Sequence, residues 1–317
     1  MRASASCDPG GEPPVPGGFD VVTGAFSYSG AAIARDLLAA GRPVRTLTGH
    51  PGHAPSGTPI EVHPLDFADP RGLTAALRGA ATLYNTYWVR FPKGPVDHQR
   101  AVANSRTLFC AARDAGVARI VHVSITHPTA ASPFSYFRGK AEVERILAGT
   151  GVSYAILRPA VLFGGEGVLI NNIAWLLRHL PVFAVGGTGA YRIRPVHLDD
   201  LARLCLAAGS SAETYTLDAV GPERPAFYDL VHFIKEAIGS HSGVVRVPGA
   251  LIPAAAQVLG WAVRDTLLTG DEYRAMADEL ADTDGPATGQ VALTQWITQN
   301  KDTLGRRYAN EIDRHFR

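Results

Sequence analysis

From residue 19 to about residue 160, short apolar and β-branched runs alternate with longer stretches whose apolar residues recur every three to four positions. Phe19-Asp20-Val21-Val22-Thr23 reads as a strand. Residues 29–40 carry Ile33, Leu37 and Leu38 at helical spacing and stop at Gly41. Further strands are predicted over 44–48, 60–63 (closed by Pro64), 81–86, 120–124 and 153–157, with helices over 96–115 and 134–148. This repeat of strand, helix, strand predicts an α/β fold: a Rossmann-like, doubly wound parallel sheet with helices on both faces. Right-handed crossovers then bring the C-terminal ends of all strands to one edge, where ligands bind near the point at which strand order reverses.

Past residue 160 the regularity fades. Gly164-Gly165 and Gly186-Gly187-Thr188-Gly189 read as loops, 193–196 and 214–218 as strands, and 198–208 and 227–238 as helices. Asp199 and Asp200 suit the positive N-terminal end of the 198–208 helix. The expected division is a tail over 1–18, a dinucleotide-binding domain over 19–165, and a smaller, mainly substrate-binding part over 166–317. Within that part, 190–218 is expected to return to the sheet. The longest apolar stretch, Leu251 to Leu268, is interrupted by Gln257, Arg264 and Asp265. It is too broken to cross a bilayer and reads as a helix packed in the protein or at a subunit contact, compatible with a homodimer.

Composition narrows the function classes. With 30 basic and 29 acidic residues the formal charge is +1, so nothing electrostatic points to nucleic acid or an anionic membrane. Cys7, Cys110 and Cys205 are odd in number and far apart, without a CxxC or Cys/His cluster. A disulfide framework or zinc site is not expected, and a reducing cytoplasm is. The first 18 residues lack the apolar core of a signal peptide and read as a mobile Pro/Gly tail.

Two motifs carry chemistry. The first strand runs through Thr23-Gly24-Ala25-Phe26-Ser27-Tyr28-Ser29-Gly30 into a helix. A tight turn at a helix start presents backbone N–H groups and the positive helix end to a pyrophosphate, and glycines let the backbone come close. Ser27 stands where a middle glycine is usual, and its hydroxyl is an alternative phosphate donor. The second motif is Tyr136-Phe137-Arg138-Gly139-Lys140. Positions four apart share a helix face, and an ammonium beside a phenol lowers the phenol's pKa toward proton-transfer range. Only four lysines occur in this arginine-dominated chain, so a lysine at 140 suggests a need for lysine itself. Just upstream, Ser124 and Thr126 offer hydroxyls that could polarise a substrate carbonyl. Arg192 and Arg194 could grip an anionic substrate, although a solvated strand face explains them as well. His197 with Asp199 and Asp200 reads more simply as a helix start with a structural histidine.

Together these residues resemble the short-chain dehydrogenase/reductase superfamily in its extended or atypical branch. The resemblance rests on Thr23-Gly24 to Gly30, Asp66, Asn85-Thr86, Ser124 to Thr126, Tyr136/Lys140, Arg158-Pro159 to Phe163-Gly164, and Val196-His197-Leu198-Asp199-Asp200. It extends to NAD(P)-dependent epimerases/dehydratases, to a complex I accessory-subunit-like group and to nitrogen-metabolite-repressor-like NAD(P)-binding proteins. The resemblance implies a nicotinamide cofactor with Gly24, Phe26, Ser27, Tyr28 and Gly30 around the pyrophosphate. Asp66 and Phe67 would border the adenine, Asn85 and Thr86 the ribose path, and Pro159 the nicotinamide. Tyr136 would be the acid/base, Lys140 its partner and a ribose ligand, and Thr126 or Ser124 the polarising hydroxyl. The end of the second strand, through Thr48, Gly49 and His50, lacks the acid that holds an NAD ribose. Arg45 and His50 could serve a 2′-phosphate, so the reading leans to NADP over NAD. The implied activity is oxidoreductase or epimerase chemistry on a small molecule, with Tyr136 moving the proton. The alternative is a cofactor-binding sensor or scaffold without turnover.

Overall fold

The computed structural model describes residues 18–310 apart from Lys93, Pro95 and Glu166. Cys7 and all but the last residue of the expected tail lie outside the described residues. The first half is built from β1 (Phe19–Thr23), α1 (Tyr28–Ala39), β2 (Val44–Thr48), β3 (Glu61–Pro64), α2 (Pro70–Leu77), β4 (Ala80–Asn85), α3 (His98–Asp114), β5 (Arg119–Val123), α4 (Ser135–Ala148) and β6 (Ser153–Pro159). There follow β7 (Val161–Phe163), α5 (Val168–His179), β8 (Val182–Gly186), β9 (Pro195–His197), α6 (Leu198–Gly209), β10 (Tyr215–Ala219), α7 (Phe227–Ala237), β11 (Gly243–Val247), α8 (Ile252–Val263), α9 (Gly270–Ala277) and α10 (Leu293–Asn300).

Seven strands form one parallel sheet in the order β10-β6-β5-β4-β1-β2-β3. The order reverses between β1 and β4, so a crevice opens at the carboxyl ends of those two strands. Alternation along the strands fills both faces. Val22 joins Ile33, Leu37, Leu201 and Cys205 on the α1/α6 side. Val21 joins Leu83, Leu108, Phe109, Val143 and Leu147 on the α2/α3/α4 side. Cys205 is therefore a core residue with no exposure. β10 adds the seventh strand beside β6. The 193–196 run instead gives β9, which pairs with β7 in a separate two-stranded sheet.

Several elements were not evident from periodicity. Helix α2 is only two turns long, which a window tuned to longer amphipathic stretches passes over. Its start is written in Asp69, whose side chain accepts from the Gly72 amide, and in Pro70 at the first turn. Helix α5 packs Ile170, Ile173, Ala174 and Leu177 into a second core with Phe163, Val185, Ile193, Phe227 and Ile234. The stretch from Leu251 to Leu268 is not one packed helix. A single 3-10 turn at Gly249–Leu251 precedes α8, which ends where Arg264 takes a left-handed φ of 55°. Ile252 and Gly260 are buried, while Leu251, Val258 and Trp261 are 55, 63 and 75% exposed. No helix among the described residues is long and apolar enough to cross a membrane.

Candidate functional site

The turn from β1 into α1 is held from within. Gly24 has a φ of 64°, a conformation that costs a non-glycine residue strain. A Cβ on Gly30 would lie 2.1 Å from the Gly24 carbonyl oxygen, so the first helical turn can sit this close only with glycine there. Thr46 pins the turn to β2 by donating to the Val22 carbonyl and accepting from the Ala25 amide. The hydroxyl of Ser27 donates to the Gly24 carbonyl at 2.7 Å, so it braces its own turn and is not turned toward a phosphate. Ser27 caps α1 without a side-chain hydrogen bond, and no acid lies in the first helical turn. The amides at the start of α1 thus meet no cap or acid from their own first turn, and the turn fits a pyrophosphate. Tyr28 reaches across to the loop after β7, where its hydroxyl donates to the Gly164 carbonyl at 2.7 Å.

At the end of β4 the expected ribose neighbours act as structural polar groups. Thr23 donates from its hydroxyl to Asn85 Oδ1 and accepts from the amides of Thr86 and Tyr87. Thr86 donates to the Thr23 carbonyl at 2.6 Å. The Asn85 amide donates to His122 Nδ1 at 3.0 Å, and both side chains are wholly buried. Burial holds His122 well below its ordinary pKa and hence neutral. Asn85 therefore stitches β1, β4 and β5 together and offers no side-chain group to a ribose.

Around the β2 and β3 ends, Thr48 accepts from the His50 amide, and His50 stacks on His53 with centroids 5.4 Å apart. Asp66 is exposed and accepts from the Ala68 amide, while Phe67 packs its ring against Tyr87 at 4.8 Å. Arg45 does not serve a 2′-phosphate here. Its guanidinium binds Glu61 and the Ala76 carbonyl and lies 4.0 Å over the Phe19 ring. It sits mid-strand, with its side chain directed to the α2 face and not to the crevice.

The helix α4 brings Tyr136 and Lys140 to the carboxyl edge of the sheet. Lys140 is 2% exposed, and its Nζ donates to the Val123 carbonyl at the end of β5, 2.9 Å away. Burial brings its pKa down to about 7, opposed by Glu144 one turn further on. Tyr136 meets Trp88 and His98 edge-on, with centroids 5.7 and 5.5 Å apart. His98 Nε2 contacts the Arg90 carbonyl and so carries the proton, which makes Nδ1 the acceptor for Ser135.

Both candidate polarising hydroxyls have protein acceptors. Ser124 donates to Glu144 at 2.5 Å, and Thr126 donates to the Leu280 carbonyl at 2.7 Å. Arg158 grips both oxygens of Glu144. Pro159 is buried at the end of β6, its carbonyl accepting from the Thr126 amide. The basis for Trp88, His98 and Glu144 was weaker in the sequence. Only Glu144, four residues after Lys140 on the same helix face, had a spacing signal.

The C-terminal candidates are structural. Arg194 is 5% exposed, and its guanidinium donates to the carbonyls of Gly221, Thr283 and Gly285, so it cannot hold a substrate anion. Arg192 is exposed and donates to the Arg224 carbonyl. His197 caps α6 through the Asp199 amide and packs on Phe163 and Trp296. Asp200 is buried against Arg203 and the amides of Gln290 and Val291. Among the described residues no group of His, Cys, Asp and Glu is arranged to hold a metal ion.

The fold is the doubly wound architecture of NAD(P)-dependent reductases and epimerases. Residues 24–172 match the family model described as NAD(P)H-binding, and the chain fits the extended short-chain dehydrogenase/reductase-like proteins expected from its motifs. It is 26% identical over 265 residues to the mitochondrial NADH dehydrogenase [ubiquinone] 1 alpha subcomplex subunit 9 of Arabidopsis thaliana, covering 78% of this chain and 64% of that one. The chain thus spans less than two thirds of that relative. The triphenylmethane reductase of Citrobacter sp., solved with NADP(H), superposes with a TM-score of 0.72 at 19% identity, over 89% of this chain and 99% of that one. The NADPH-dependent quinone oxidoreductase QOR2 of Escherichia coli, solved with NADPH, also gives 0.72, at 21% identity over the same shares.

Proposed function

We propose that the protein is an NAD(P)-dependent oxidoreductase that transfers a hydride to or from the carbonyl or alcohol carbon of a small molecule, with Tyr136 as proton donor and acceptor. The observation that carries the reading is the position of Tyr136 and Lys140. They lie one helical turn apart on α4, with Lys140 bound to the carboxyl end of β5, and the β1–α1 turn carries no acid in the first turn of α1. The nicotinamide, when bound, supplies or takes up the hydride. Tyr136 gives its phenolic proton to the oxygen of a carbonyl under reduction and takes one from an alcohol under oxidation. Lys140, when charged, favours the phenolate that results. The Gly24–Gly30 turn would hold the diphosphate, and the end of β2, which offers His50 and no acid, would suit a 2′-phosphate and so NADPH.

A second reading has its own support. Neither the Ser124 nor the Thr126 hydroxyl hydrogen is available to a carbonyl in this arrangement, as suits a protein that binds dinucleotide and signals without turnover. Calorimetric titration with NADPH and NADH, followed by a panel of quinones, aldehydes and ketones, separates the two. NADPH oxidation dependent on one carbonyl class supports the enzyme. Tight binding with no turnover across the panel supports the sensor, and binding of neither dinucleotide defeats both.

A further inference from the structure

We infer that Trp88 is a positioning residue for Lys140: its indole forms a dry cover that fixes the ammonium against the Val123 carbonyl and shields it from water. This rests on the oxidoreductase reading only for its catalytic consequence, since the contact itself stands on geometry. The six-membered edge of Trp88 runs so close to α4 that a Cβ at position 139 would lie 2.8 Å from Cη2 and 3.2 Å from Cζ2. A glycine inside a helix costs roughly 1 kcal/mol relative to alanine, and here the indole requires it. The Lys140 Nζ then lies 4.7 Å from the Trp88 ring centroid. Trp88 is itself backed by the His98 ring, stacked at 5.8 Å and nearly parallel at 4°. Its buried Nε1–H has no partner among the described residues. Packing on Gly139, Lys140 and His98, not a hydrogen bond, therefore keeps the indole in place.

The groups that face Lys140 come from each element packed on it. Glu144 and Tyr136 lie on its own helix, His122 on β5, Arg158 on β6 bound to Glu144, and Trp88 after β4. Arg158 and Ser124 hold Glu144 at both oxygens, so the carboxylate is not committed to the ammonium alone. Burial is the largest influence on Lys140, and the indole supplies part of it. The consequence is an amine that changes charge near neutral pH one helical turn from Tyr136.

The chain has only four lysines, so 13Cε-lysine labelling gives a short spectrum in which Lys140→Met assigns the signal. In the ligand-free full chain, Lys140 is expected to titrate near 7. Trp88→Ala should admit water and move the midpoint up by about one pH unit or more. Trp88→Phe, which keeps an aromatic cover, should move it far less, and Gly139→Ala, which displaces the indole, should move it up. Should Trp88→Ala fail to fold, the Phe and Gly139→Ala pair still decides. A Lys140 midpoint unmoved by displacing the indole overturns the inference. NADPH titration of the same samples tests the oxidoreductase reading separately: loss of the indole effect with NADPH binding intact sinks only the positioning role, whereas an intact effect without dinucleotide binding sinks only the cofactor reading.

Discussion

Lys140 donates from Nζ to the backbone carbonyl of Val123 at 2.9 Å, and this bond anchors α4 to the end of β5 at the sheet's carboxyl edge. The same burial lowers the amine from an ordinary 10.5 to about 7. Between those values the unfolded chain binds a proton that the native one has released, so the stability of the native protein rises with pH through this window. Lys140→Met removes that dependence. Its advantage over the wild type in thermal or urea unfolding is expected to be about 2 kcal/mol larger at pH 6 than at pH 9. A pH-independent difference would contradict the assignment.

In the proposed reaction the same amine would give catalysis a pH signature. Its charge is present below about 7 and lost above, so the help it gives to a forming phenolate fades as pH rises. An ionisation near 7 in kcat/KM for carbonyl reduction should vanish in Lys140→Met. Tyr136→Phe should lower kcat by about a hundredfold or more while leaving NADPH affinity little changed. A mutant that turns over at the wild-type rate would remove Tyr136 from the chemistry.

The β1–α1 turn tolerates no side chain at its closest point. Gly30→Ala would place a Cβ 2.1 Å from the Gly24 carbonyl oxygen and force the first turn of α1 outward. NADPH affinity measured by calorimetry should fall at least about tenfold, a loss of roughly 1.4 kcal/mol, in a protein whose circular dichroism stays native. Unchanged affinity would place the diphosphate elsewhere.

Choice between NADPH and NADH should not depend on Arg45. That guanidinium is held by Glu61, the Ala76 carbonyl and the Phe19 ring. Arg45→Ala is expected to cost on the order of 1 kcal/mol of stability, given that Glu61 is more than half exposed, and to leave the ratio of the two dissociation constants unchanged. His50→Ala should lower that ratio in favour of NADH. The reverse pattern would return the 2′-phosphate to Arg45.

Glu144 is the acceptor for Ser124 and both donors of Arg158. Its side chain is 10% exposed, against 30% for Arg158. Removing the carboxylate leaves a half-buried cation alone. Glu144→Ala should therefore destabilise the fold by about 2 kcal/mol, the partial exposure of Arg158 reducing the cost of a fully buried pair. Equilibrium unfolding is the measurement, and a loss under about 0.5 kcal/mol would show the pair to be ornamental.

Much of the fold was legible in local pattern. Val21 and Val22 face opposite cores because a strand alternates, and Ile33 and Leu37 share a core because a helix repeats every 3.6 residues. Gly24, Gly30, Tyr136 and Lys140 stand out for a similar reason: their spacing falls within a single local motif. The helices α2, α5 and α8 were less legible, being short, or apolar on more than one side. For the site, residue type alone marked Ser124, Thr126, Asn85, Arg45 and Arg194 as candidates. Their partners, namely Glu144, the Leu280 carbonyl, His122, Glu61 and the Gly221 carbonyl, lie 16 or more residues away.

By itself, then, the sequence determined a parallel αβ sheet, a tight glycine turn at its first strand, and a phenol and an amine on one face of a helix, because each follows from periodicity or backbone freedom over a few residues. The tertiary structure decided which polar groups remain open to a ligand and which are bound internally, and how dry the Lys140 amine is beneath Trp88. Those properties depend on desolvation and on hydrogen-bond partners that come together only when distant strands and helices close around them.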